Sequence, residues 1–435
     1  MRLMLTRPQL SFMAARISVV VTRPVILILL ARISDTQDAA TFGKMLVATG
    51  IGMIVSAFDS GKHYYSVRAG PRAAGVDFVF HPYVARLLVP LVLGILVTTC
   101  LAVGWGGDPW TVTATAVFLV TERIIDERQR YLLVSDRVQS WSVLQLWRGT
   151  IQLSCILLIA AFDSLWHSLT PAWFLMALCA GNVLVAHPSR TMNMSAMLAG
   201  RPAVAARLAI RSTRQLITLW AGWASGLLAS LIGFADRLII AAWDDPATAG
   251  LLVATSALAI GPVIVSISYF TPRRGAIVRG EISAREITSG SFLLPWIGGL
   301  TIAFVAALTA ISALPLEARP SIASIVTLAV VSGLSTIGGV LREIRFFGAN
   351  SRHSAIIDFA SILLLAIALV ALHLVAAPVW MGLMAAAVIH AMRIIGFSYE
   401  PRQPPKSVAS ETASQRLMGG SSRARNRRRP EHGKV

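Results

Sequence analysis

Six side chains set the chemistry open to this chain: Arg16, Arg23, Gln145, Arg148, Gln152 and Arg237, each inside or beside a long apolar run. Arg16 and Arg23 are seven residues apart, so a helix presents them on nearly one face. An arginine at the middle of a membrane-spanning helix costs about 2.5–3.5 kcal/mol on insertion scales. Two on one face therefore mark a polar cavity, with snorkelling of Arg16 to the membrane surface as the competing role. Gln145, Arg148 and Gln152 make a polar stripe at i, i+3 and i+7, and Arg148 is the member suited to an anionic partner, with anchoring near the inner membrane surface as its competing role. The first of these runs offers two arginines and no acid, which favours an anion over a cation as cargo.

Two acids complete the set. Asp236 precedes Arg237 directly, so the two point about 100° apart on a helix and do not simply face each other. Asp236 is a candidate for holding a coupling cation or proton, with an ion pair to another helix as the plainer role. Asp358 enters an apolar helix and is the second coupling candidate. Arg16, Arg23, Arg148 and Asp236 are expected to converge on one cavity. His373 and His390 read as packing residues. The His353–Asp358 spacing matches an acyltransferase pattern, but no soluble catalytic region accompanies it.

The elements that must position these residues are helices in a bilayer. Of 435 residues, 55% are hydrophobic and 14% charged, with mean hydropathy +0.67, against about 25% charged in soluble domains. Apolar runs of roughly 20 residues suit a hydrocarbon core about 30 Å thick. They lack the alternation of barrel strands. Spans are expected near 10–31, 41–58, 84–104, 110–132, 139–161, 170–187, 214–242, 248–270, 289–313, 321–345, 354–375 and 378–398. The N-terminal stretch reads as an uncleaved first span, because Arg16 and Arg23 interrupt any signal-peptide core. Pro24 predicts a bend there.

Charge orients the spans. Alternate loops carry clusters such as Lys62, Arg68 and Arg72, then Arg123, Arg128, Arg130 and Arg137, and later Arg342, Arg345 and Arg352. The opposite loops carry Asp35, Asp38, Asp108, Asp163, Asp244, Asp245 and Glu317. The positive-inside rule places the basic end, and both termini, in the cytoplasm. This bias and the tail after Tyr399, ending in Arg423-Ala-Arg-Asn-Arg-Arg-Arg429, account for most of the net charge of +18. The tail reads as a basic segment against anionic lipid, with no folded nucleic-acid module behind it.

The chain also repeats itself. Asp38-Ala-Ala-Thr-Phe-Gly43 is echoed by Asp245-Pro-Ala-Thr-Ala-Gly250, and Leu46-Val-Ala-Thr49 by Leu252-Val-Ala-Thr255. An offset of half the chain is the mark of an internally duplicated transporter. The expected architecture is an all-α polytopic membrane protein with about twelve spans in two six-helix bundles around a central cavity. The expected divisions are 1–190, a linker 191–213, 214–398 and a tail 399–435.

Three stretches carry a family resemblance: Pro24 to Gly43 (PVILILLARISDTQDAATFG), Ala235-Asp-Arg-Leu-Ile-Ile240 through Gly250-Leu-Leu, and Asp59-Ser-Gly61 followed by Arg68. They resemble the bacterial polysaccharide transporters, the O-antigen flippase-like branch of the multidrug/oligosaccharidyl-lipid/polysaccharide exporter superfamily. The resemblance implies two six-helix bundles that open alternately to each face of the bacterial inner membrane. It also implies a cargo, an oligosaccharide joined through diphosphate to a polyprenyl lipid, with polymerase and glycosyltransferases as functional partners. It brings no catalytic motif, so the site residues rest on the spacing argument above.

Rival classes lack their marks. There is no P-loop, nucleophile elbow or zinc spacing, and no cofactor is expected. External loops are too short for a membrane glycosyltransferase or ligase, so the chain is read as a non-enzyme. A cation-coupled drug antiporter of the same superfamily is the alternative, and acids in the cavity would be its signature.

Overall fold

A computed structural model describes residues 7–57, 80–134, 138–166, 170–186, 220–270 except 244 and 246, 273, 276–277, 282–348 and 351–398. The expected linker 191–213, the tail, the Asp59–Arg68 stretch and most basic-loop residues lie outside them.

The described chain is helical and contains no strand among the described residues. In order come α1 (Arg7–Ile33), α2 (Thr36–Ala57), α3 (Phe80–Gly104), α4 (Pro109–Val134), α5 (Val138–Trp166) and α6 (Pro171–Ala186). Then follow α7 (Trp220–Ile232), α8 (Ala235–Ala242), α9 (Thr248–Leu258), α10 (Ile260–Val265), α11 (Gly290–Ser312), α12 (Ile322–Gly348), α13 (Ser351–Leu374) and α14 (Val379–Ser398). Among the described residues, eight segments are long and apolar enough to cross a membrane by length and composition. α4 falls short because Glu122, Arg123, Asp126 and Glu127 crowd its second half.

Two expected spans are broken. The seventh divides at Gly233–Phe234 into α7 and α8, and the eighth divides into α9, α10 and a π-helical turn, Ser266–Phe270. Periodicity cannot see such breaks, because every residue at them is apolar or small. α1, by contrast, runs unbroken through Pro24.

Helix ends follow local chemistry. Asp35 caps α2 by accepting from the Asp38 amide at 2.6 Å. Asp108 caps α4 through the amides of Trp110 (2.8 Å) and Thr111 (3.1 Å) and the Thr111 hydroxyl. The Thr111 hydroxyl holds the Asp108 carboxyl below the usual carboxylate range, against the opposing effect of burial.

The two sets of six pack alike. In the first half, α1 packs on α5, α2 on α3, α4 on α6, and α5 on α6; in the second, α7 packs on α13, α9 and α10 on α11, α12 on α14, and α13 on α14. These are the same pairings with the numbering restarted. The second-to-third helix crossing uses glycine in both halves. A methyl on Gly52 would meet the Gly94 carbonyl oxygen at 2.9 Å, and one on Gly261 would meet the Gly299 carbonyl oxygen at 3.2 Å. Thr49 and Thr255, the ends of the repeated Leu-Val-Ala-Thr, each donate to the carbonyl one turn back, at 2.9 and 2.8 Å. Arg128 of α4 donates to the Val185 carbonyl at the end of α6 (2.7 Å), as Arg345 of α12 donates to the Phe397 carbonyl at the end of α14 (2.8 Å).

Contact between the halves runs through their leading helices, α1 and α2 against α7 to α11. Gly43 admits the Leu252 side chain and Gly50 admits the Phe234 ring, with no room for a methyl at either. At the acidic end, Arg32 of α1 donates to the Ala313 carbonyl after α11, at 2.6 Å.

Candidate functional site

A cavity of about 160 Å³ lies where α1 and α2 meet the α8–α9 region. Its walls include Val19, Leu27, Leu46 and Leu252, and its polar lining is Arg23, Arg237, Thr255 and Ser256. The two arginines come from opposite halves. Arg237 reaches it because the break at Gly233–Phe234 restarts the helix as α8, with the Arg237 guanidinium 4.6 Å from the centre of the Phe234 ring. No carboxylate lies in the lining among the described residues.

Behind Arg23 stands a buried polar network on α4, α5 and α6. The Glu122 carboxylate, with 11% of its side chain exposed, accepts through Oε2 from Arg148 Nη2 and from Asn182 Nδ2, the latter at 3.1 Å. Arg148, 5% exposed, also donates through Nε to Asn182 Oδ1 at 3.0 Å. Gln152 Nε2 donates to the same Asn182 oxygen at 3.0 Å and to the Leu178 carbonyl at 3.4 Å. The other Glu122 oxygen faces Arg23 Nη2 at 3.8 Å. Two cations flanking one carboxylate thus run from the cavity wall into the first half.

The sequence-predicted residues fall into three groups. Arg23 and Arg237 line the cavity; Arg148 and Gln152 stand one layer behind it, both bonded to Asn182, with Glu122 between Arg148 and Arg23. The others stand apart from the lining. Arg16 lies with its guanidinium 5.5 Å from the Trp141 ring centre on α5. Gln145 is buried on α5, and its amide oxygen has no hydrogen-bond donor among the described residues. Asp236 sits on the first turn of α8 beside Arg237 but outside the lining. The expected convergence of Arg16, Arg23, Arg148 and Asp236 on one cavity is therefore met by Arg23 alone. A helical face seven residues long spans more than 10 Å of rise, enough to separate Arg16 from Arg23.

Asp358 is placed elsewhere again. It is 0% exposed, and its oxygens are taken by Arg342 Nε (2.9 Å) and by Arg393 Nε (2.8 Å) and Nη2 (2.7 Å). α12, α13 and α14 are clamped together by these bonds near their basic ends.

Sequence reasoning missed Glu122, Asn182, Arg342 and Arg393. Glu122 opens a charged run in which Arg123 pairs with Asp126 (3.1 Å) and Glu127 along the same helix face, so it read as the solvated end of a span. Asn182 was a lone amide within the apolar Ala177–Val185 stretch, and that isolation was its signal.

Among the described residues no group of three or more His, Cys, Asp or Glu is placed to hold a metal ion. No protein-family model matches the chain, and no curated protein matches it in sequence. Among solved structures, it is similar to a crystal structure of MATE in complex with Br-NRF, at 12% identity and TM-score 0.41, covering 90% of this chain and 94% of that one. A likeness this distant carries no weight in the functional reading.

Proposed function

We propose that this protein is a flippase: it moves a polyprenyl-diphosphate-linked oligosaccharide from the cytoplasmic to the outer leaflet of the bacterial inner membrane by alternating access between its two six-helix halves. The observation that carries the reading is the pairing of Arg23 and Arg237, from opposite halves, across a cavity whose described lining holds hydroxyls and no acid. A hydroxyl stripped of partners in an alkane-like phase costs roughly 4–8 kcal/mol, so a glycan needs such a polar path. The paired arginines suit the diphosphate, whose oxygens accept from guanidinium forks. At about 160 Å³ the cavity is smaller than the 300–1,000 Å³ or so of ordinary ligand pockets. The halves must part to admit the sugars, and the seam at Gly43–Leu252 and Gly50–Phe234 is where they part. A polymerase and glycosyltransferases act before and after it on the same lipid.

The test is a deletion strain profiled for lipid-linked glycan and surface polysaccharide, complemented with wild-type, Arg23→Ala or Arg237→Ala protein. The expected result is accumulation of a completed repeat on the cytoplasmic leaflet, cured by wild type and by neither variant. Unchanged glycan with altered sensitivity to small cations would instead indicate the antiporter.

A further inference from the structure

The two oxygens of Glu122 have different tasks. Oε2 is hydrogen-bonded to Arg148 and Asn182, both on helices of its own half. Oε1 faces Arg23 Nη2 at 3.8 Å, beyond hydrogen-bond reach, where attraction acts without a directional bond. Arg23 is 41% exposed along its side chain, and Arg237 and Arg148 both lie near enough to repel it. Its hold on Glu122 is therefore loose, whereas Glu122 itself is firmly held.

We infer that Glu122 is a positioning residue that competes with the anionic cargo for Arg23. An anion entering between Arg23 and Arg237 draws Arg23 off Oε1. Glu122 is not stranded by this, because Arg148 and Asn182 still satisfy Oε2. When the anion has crossed, Glu122 recaptures Arg23, weakening the hold on the cargo and favouring release. A carrier needs this second half of the cycle as much as the first: facing arginines without a rival carboxylate would retain a diphosphate. This rests on the flippase reading and adds to it the group that lets the cargo go.

The experiment uses the full chain in nanodiscs, titrated with inorganic pyrophosphate by calorimetry, and in proteoliposomes, assayed for flipping of polyprenyl-diphosphate glycan. Glu122→Gln keeps the shape and an acceptor oxygen while removing the rival charge. The expected result is about tenfold tighter pyrophosphate binding, near one pK unit's worth of differential interaction, with kcat and KM for flipping both falling. Arg23→Gln loses binding in parallel. Should Glu122→Gln fail to fold, Glu122→Gln with Arg148→Met removes the pair together and is expected to show the same tightening. Wild-type binding with unchanged or weaker binding in the folded Glu122 variant overturns the competition and leaves the flippase standing. A wild-type protein that neither binds pyrophosphate nor flips the lipid overturns the flippase reading itself.

Discussion

The fourth, fifth and sixth helices of each half carry a buried polar triad, and the two triads are wired differently. In the first half an acid on α4 meets Arg148 on α5 and Asn182 on α6. In the second half the acid is Asp358 on α13, with arginines on α12 and α14. Asp358 is closed on all sides by partners from its own half, whereas Glu122 leaves one oxygen turned toward an arginine of α1 that lines the cavity. Two halves that pack alike thus differ here: one triad is closed within its half, and the other reaches the cavity wall through Arg23. Both triads bury charge; what distinguishes them is the partner of the acid's second oxygen.

The largest effect expected from breaking this comparison is at the clamp. Asp358→Ala leaves Arg342 and Arg393 buried without their shared anion, and breaking a buried pair costs about 3–5 kcal/mol. Thermal unfolding in detergent should show that loss, with transport falling only as far as folded protein falls. Arg23→Ala should behave in the opposite way. Its 3.8 Å contact with Glu122 is beyond hydrogen-bond reach, and Glu122 keeps Arg148 and Asn182 without it, so activity goes while most of the stability stays. Equal destabilisation by the two substitutions would erase the distinction between the triads.

The glycine crossings sharpen it at smaller scale. Gly52→Ala drives a methyl against the Gly94 carbonyl at 2.9 Å as well as the Thr98 hydroxyl, an overpacking worth about 1–3 kcal/mol. Gly261→Ala meets its nearest atom, the Gly299 carbonyl oxygen, at 3.2 Å. That milder crowding is offset by the roughly 1 kcal/mol that alanine gains over glycine in a helix. The first variant should melt lower and the second close to wild type. Equal shifts would mean that the two crossings are not packed differently.

Much of the scaffold was legible because span length and apolarity act locally, residue by residue. The expected spans and the observed helices agree within a few residues for α1, α2 and α11 to α14. The echoed Leu-Val-Ala-Thr segments lie on α2 and α9, the second span of each half. What escaped depends on partners far apart in the chain. Arg342 read as one of a basic loop cluster, yet it reaches Asp358 across a helix seam. Glu122 was masked by the charges that follow it on α4. The break that turns Arg237 into the cavity is written as Gly-Phe within an apolar run, where composition continues and only geometry changes. Arg23 and the Arg148–Gln152 stripe were found because a charge in an apolar helix is conspicuous before its partner is known.

The most direct measurement is flipping by the purified protein. Proteoliposomes would carry a polyprenyl-diphosphate glycan in the inner leaflet, and its exposure outside would be followed for wild type, Arg23→Ala and Arg237→Ala. The account predicts rapid exposure with wild type, and exposure near the protein-free rate with either variant, each still folded. Flipping that survives loss of both arginines, or a wild-type protein that exchanges small cations and leaves the glycan lipid in place, would contradict it.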